Sequence, residues 1–127
     1  MRTDTKNWLE MADYDLGTAR DMFDSKRYLY VVFFCHLAVE KALKAIVAER
    51  TGRIPPKSHD LVGLARKANL TISSSLTDIL SKLTATSLPT RYPEDIQNVL
   101  KVYDRDVADS YLKQAREVVK WLGSQLS

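Results

Sequence analysis

The stretch from Tyr28 to Ala48 decides most of what this chain can become. It opens on Tyr28-Leu29-Tyr30-Val31-Val32-Phe33-Phe34-Cys35, an unusually apolar run. It continues into Leu37-Ala38-Val39-Glu40-Lys41-Ala42-Leu43-Lys44-Ala45. Taken alone, the first half suits a buried strand. The second half is rich in the strongest helix formers, and no turn signal separates the two. One long helix is therefore predicted from about Tyr28 to Arg50, closed by Gly52. A helix that is apolar all round lies centrally in a fold or is half-covered by another subunit.

The remaining chain supplies amphipathic cover. Trp8, Met11, Ala12, Asp15, Leu16, Ala19 and Phe23 recur at helical spacing, which predicts a first helix from about Thr5 to Phe23. Asp15 interrupts that stripe, either at its edge or pointing into something polar. Pro55 and Pro56 break the chain after Gly52. Ser58 then caps a third helix over roughly His59 to Ala68, ended by Asn69. A fourth starts near Ser74, turns Leu76, Ile79, Leu80 and Leu83 inward, and frays by Ser87. Residues 88–103 read as less regular, and Pro89 and Pro93 bracket Thr90-Arg91-Tyr92 and predict a non-helical stretch there. Asp104 caps a last helix whose stripe runs Val107, Ala108, Tyr111, Leu112, Ala115, Val118, Val119, Leu122. With 127 residues and only four glycines and four prolines, the expected fold class is all-α. It is an up-and-down helical bundle of four to five helices, in one domain over residues 1–127.

Composition narrows the function classes. No apolar run approaches the ~20 residues that cross a bilayer, so no membrane partner is expected. The start, Met-Arg-Thr-Asp-Thr-Lys-Asn, has no apolar stretch behind it like a secretory signal. Cys35 is the single cysteine, which excludes an internal disulfide and fits a reducing, cytoplasmic location. With two histidines and one cysteine, no metal site and no cofactor is expected. There is no phosphate-binding glycine loop and no nucleophile elbow. A net charge of +3 permits an anionic partner without requiring one.

Two clusters can carry chemistry. His36, Glu40 and Lys44 fall on one face of the most buried helix, with Lys41 about 100° around from Glu40. The plainer reading of Glu40 and Lys44 is a surface ion pair worth a few tenths of a kcal/mol. The functional reading is a cleft running along that face. Ser58-His59 opens a helix, where the positive end of the dipole favours a neutral imidazole, fit to act as a base or to sit beside a phosphate. Arg91 is a natural bidentate phosphate binder, and Tyr92 can stack on a base. The plainer readings are a capping histidine and a loop anchored by a buried tyrosine.

Taken together these segments resemble a known family. Trp8 through Ala12, Asp15-Leu16 and Ala19 are similar to its first helix. Tyr28 and His36-Leu37-Ala38-Val39-Glu40-Lys41-Ala42-Leu43-Lys44-Ala45 are similar to its central helix. Ser58-His59-Asp60-Leu61 and Arg91-Tyr92-Pro93 follow in the expected order. The chain resembles the HEPN domain (higher eukaryotes and prokaryotes nucleotide-binding) over nearly its whole length. The resemblance implies a helical bundle that forms a homodimer and binds a nucleotide or RNA. It implies a minimal nucleotidyltransferase protein as partner, often in a toxin–antitoxin couple. The ligand-binding residues it points to are His36, Glu40, Lys41, Lys44, Arg91 and Tyr92. A second implication is a metal-independent endoribonuclease, in which an Arg separated by four to six residues from a His acts across the dimer. Arg53 and His59 have that spacing and are the catalytic candidates, with Arg91 as the other arginine. Arg53 is followed by Ile54-Pro55-Pro56, where the nuclease motif usually has a polar residue. A third reading is a purely structural dimerisation module.

Overall fold

A computed structural model describes residues 1–126. It is all-helical among those residues, with α1 (Thr3–Asp24), α2 (Tyr28–Thr51), α3 (Leu61–Lys67), α4 (Ser74–Arg91), α5 (Ile96–Val102) and α6 (Arg105–Ser124). The all-α bundle holds with six helices rather than four or five, because two short helices, α3 and α5, join four long ones.

α2 is the axis of the molecule and packs against α1, α3, α4 and α6. Its two halves form one helix, and fifteen of its residues are buried. Leu43, Ile46, Val31, Val32 and Val39 are fully enclosed, each contributing about 1.5–3 kcal/mol relative to exposure. Ala12 and Ala19 of α1 belong to the same core cluster; side chains this small let two helix axes approach closely. α6 contributes Ala108, Leu112, Ala115, Val118, Val119 and Leu122, the stripe expected from its spacing. α2 ends on Gly52, which takes the left-handed conformation at φ 67°. Its N–H closes the last turn on the Ala48 carbonyl.

α4 does not fray at Ser87; it runs to Arg91 with Pro89 inside it. Pro89 forfeits the hydrogen bond to the Ala85 carbonyl, but Ala85 is on the exposed face, where water can take that carbonyl. The buried Thr86 and Thr90 hydroxyls bond to the Leu83 and Thr86 carbonyls, both at 2.6 Å. The stretch after Pro93 is not irregular either. Asp95 accepts from the Asn98 N–H and starts α5.

The third helix is shorter than expected. Asp60, not Ser58, is its N-cap residue. Ser58 Oγ instead accepts from the Asp60 N–H, and the Leu61 N–H is taken by Thr84 Oγ1 of α4 at 3.1 Å. His59 therefore lies ahead of the helix, so its setting follows from its side-chain partner.

Candidate functional site

Phe33, His36, Glu40 and Lys44 are spaced three, four and four along α2, so they form one row on its surface. At 1.5 Å per residue the row is about 17 Å long. The loop after Gly52 turns back along α2 and delivers His59 to the middle of it. α4 delivers Arg91 to the Phe33 end, and α1 delivers Trp8 to the Lys44 end.

Glu40 is the hub. It is 4% exposed, and each oxygen has its own partner. Oε1 lies 2.7 Å from His59 Nδ1, and Oε2 accepts from Lys44 Nζ at 3.1 Å. Glu40 and Lys44 are thus a buried pair, not the surface pair that spacing suggested. A buried carboxylate is tolerable only when paired and hydrogen-bonded, which this one is on both sides. Lys44 Nζ also stands 5.7 Å from the centre of the Trp8 ring, a cation–π contact.

A carboxylate accepts hydrogen bonds and does not donate, so His59 Nδ1 carries the hydrogen of that contact. Nε2 is then the acceptor of the neutral ring, and the side chain is 51% exposed. This half-open imidazole is oriented by a buried acid, the arrangement used to present a base or a phosphate ligand.

His36 behaves differently. It is buried, and its Nε2 donates to the His59 backbone carbonyl at 3.1 Å, which ties the loop to α2. Burial lowers its pKa, and the charges of Arg91 and His59 act the same way; the His59 carbonyl and Glu40 oppose them. Its Nδ1 is 3.9 Å from Glu40 Oε1, too far for a hydrogen bond. The two imidazole rings meet edge to face at 6.1 Å.

Arg91 stacks on Phe33, with the guanidinium carbon 5.1 Å from the ring centre. No carboxylate pairs with it among the described residues, and its buried Nε has no hydrogen-bond partner there. Its charge nevertheless reaches His36. A stacked, half-buried guanidinium without an acid has the charge and the free N–H groups to hold an anion.

The other candidates lie elsewhere. Lys41 points toward α1, where its Nζ is 2.6 Å from the buried Asp15 carboxylate. That accounts for the acid in the apolar stripe of α1. Tyr92 is 72% exposed rather than a buried anchor, and it lines a shallow groove with Leu88, Pro93 and Val99. Arg53 follows the end of α2. Gly52 is twelve residues past Glu40, about 18 Å along the axis, and Arg53 is exposed with its backbone N–H on Thr51 Oγ1. The fold groups His36, Glu40, Lys44, His59 and Arg91, and leaves Lys41 and Arg53 outside. Among the described residues no three His, Cys, Asp or Glu side chains are placed to hold a metal ion. No helix is long and apolar enough to cross a membrane there.

Sequence reasoning missed Phe33 and Trp8, the aromatic floors under Arg91 and Lys44. Phe33 was legible as the residue three before His36; Trp8 was not, since it comes from another helix.

Comparison with known proteins adds to this geometry. A family model described as HEPN domain matches residues 5–125. The crystal structure of TT1696 from Thermus thermophilus has the same fold. It superposes with a TM-score of 0.83 at 23% identity, covering 97% of this chain and 98% of that one. That of ST0689, an archaeal HEPN homologue, gives 0.78 at 23% identity, with full coverage of both chains. None of the curated proteins compared matches this chain.

Proposed function

This chain belongs to the HEPN domain family, and from that premise we propose that it binds a nucleotide or RNA through a phosphate held between His59 and Arg91. One observation carries this reading. The unpaired Arg91 guanidinium sits on Phe33, which is three residues before His36 in the same row of α2, and the acid-oriented His59 ring meets His36 edge to face. Glu40 and Lys44 hold that arrangement from beneath and neutralise each other. The phosphate meets one fixed cation and one ring nitrogen. A base can stack on the exposed Tyr92 ring, which directly follows Arg91.

The same reading includes a homodimer and a minimal nucleotidyltransferase partner in a toxin–antitoxin type system. Support for the homodimer comes from α5. It has no buried residue, and Ile96, Leu100 and Val102 are exposed together with Leu88 and Tyr30. A groove of about 460 Å³ between Tyr28, Tyr30, Ile96, Leu100 and Tyr103 adjoins them. Apolar surface gathered this way marks an interface.

The test is thermal unfolding with ATP, UTP or a short single-stranded RNA. The ligand raises the melting temperature, and Arg91→Ala removes the rise while leaving the unliganded fold intact. No shift with any nucleotide or RNA ends the proposal.

A second reading, a metal-independent ribonuclease, is favoured by the orientation of His59. With Nδ1–H on Glu40, Nε2 is free to take the proton of a 2′-hydroxyl as that oxygen attacks the adjacent phosphorus; the P–O5′ bond breaks, and the departing 5′-oxygen takes up a proton from water. Arg91 then faces the charge on the phosphate oxygens. Cleavage in EDTA that leaves cyclic phosphate ends and disappears in His59→Ala supports it; intact RNA at high protein concentration rejects it.

A further inference from the structure

At the turn between α1 and α2 the chain keeps a residue that its backbone does not favour. α1 ends in a Schellman turn: the Arg27 N–H donates to the Met22 carbonyl at 2.7 Å, and the Lys26 N–H to that of Phe23 at 3.0 Å. The residue just past the end of such a turn is left-handed, and glycine or asparagine is its usual occupant. α3 ends on the same pair of bonds, Leu70 to Ala65 and Asn69 to Arg66, with Asn69 at φ 55°. At the end of α1 the residue is Lys26, at φ 63°. A lysine there carries a conformational penalty that Gly52, at the end of α2, avoids. Lys26 and Arg27 are exposed, and neither forms an ion pair among the described residues. No contact within the described fold accounts for this lysine, and strain retained without a structural return points to function.

The groove beside it supplies one. Lys26 and Arg27 line the groove of about 460 Å³ between the start of α2 and α5. Tyr28, Tyr30 and Tyr103 line it as well, with Ile96 and Leu100 from α5, and no acid does. Its size and mostly apolar wall with a few polar groups suit a small molecule. Burial raises the pKa of Tyr103, so its hydroxyl keeps the proton and can donate to an anion. The Tyr30 ring meets Phe33 edge to face at 6.5 Å, but no residue of the His59–Arg91 site lines the groove. Lysine is depleted from the centre of protein interfaces, which marks this end of the groove for a charged ligand and not for a second copy.

We propose that the groove between the α1–α2 turn and α5 binds a small aromatic carboxylate, its ring among Tyr28, Tyr30 and Tyr103 and its carboxylate on Lys26 and Arg27. The aromatic wall selects against a bare inorganic anion, and two cations without an acid select against a neutral or cationic molecule. The Arg27 fork can hold both carboxylate oxygens, and Lys26 adds a point charge. This site does not depend on the phosphate reading given above.

The experiment titrates the full chain with cinnamate by isothermal titration calorimetry, with cinnamyl alcohol and acetate as the ring and the headgroup alone. Cinnamate binds saturably and more tightly than either. Arg27→Gln weakens it by about tenfold. Lys26→Gly removes a cation and the left-handed strain together, so cinnamate binds more weakly while the melting temperature rises by about 2–4 °C. Arg91→Ala leaves cinnamate binding unchanged. Equal affinity of wild type and Lys26→Gly/Arg27→Gln overturns the site, as does cinnamyl alcohol binding as tightly as cinnamate. A loss in Arg91→Ala as large as that in Arg27→Gln places the ligand on Arg91 and overturns a separate site. No saturable binding overturns it too; if Lys26→Gly/Arg27→Gln is then monomeric by light scattering where the wild type is dimeric, a second copy fills the groove.

Discussion

His59 Nδ1 lies 2.7 Å from Glu40 Oε1, which joins a half-exposed loop imidazole to a carboxylate inside the bundle. The contact spans nineteen residues of sequence. It sets which nitrogen of His59 faces outward, and it stands on a second contact, that of Glu40 with Lys44.

Removing one member of that buried pair is expected to cost far more than a surface ion pair. Glu40→Ala leaves Lys44 buried without its acid, a loss of about 3–5 kcal/mol. The double variant Glu40→Leu/Lys44→Met, which replaces the pair with apolar volume, recovers most of it. Urea unfolding measures both. A loss below about 1 kcal/mol for Glu40→Ala would place the pair with ordinary surface bridges.

His36 sets a pH dependence. Its pKa in the folded state is lowered below the usual value of 6.5, first by burial. The unfolded chain therefore takes up its proton before the folded one does, and this favours unfolding as pH falls. Stability is full above about pH 6.5 and declines below it until the folded ring also protonates. His36→Gln flattens that part of the profile. Asp4 and Glu49, both held below their usual values by hydrogen bonds, act at lower pH. A melting temperature that does not change between about pH 7.5 and 5.5 contradicts this account of His36.

The apolar face of α5 gives a prediction about assembly. Ile96→Asp/Leu100→Asp adds two charges to positions that stay nearly half exposed within one chain. The variant keeps its helical content, and light scattering reads a monomer where the wild type is a dimer. A wild type that is itself monomeric at every concentration rejects the interface.

Gly52 tests the end of α2. At φ 67° a side chain meets the left-handed penalty, so Gly52→Ala destabilises by about 1–2 kcal/mol. A Cβ there would stand 3.4 Å from Arg2 Nη1, the far end of a flexible side chain, so the cost is mainly conformational. Gly52→Asn, which tolerates this conformation better, loses less. Equal stability of Gly52→Ala and wild type contradicts the assignment.

The helices were legible because their signals are local. Apolar spacing, the Gly52 stop and the Asp104 cap act within a few residues, so α1, α2 and α6 fall within about two residues of their predicted ends. Local signals misled at Pro89 and at Ser58. At Pro89 the exposed Ala85 position lets the chain stay helical; at Ser58 the Thr84 hydroxyl of another helix receives the first N–H of α3.

The sequence by itself determined a helical protein with one central apolar helix carrying His36, Glu40 and Lys44 in a row. It left open whether that row met water. Only the tertiary structure decided that Glu40 and Lys44 are buried, that Lys41 turns to Asp15, and that His59 returns to Glu40 while Arg53 stays behind. Helix formation depends on neighbours a few residues apart, whereas burial and charge pairing depend on which distant segments the packed core brings together.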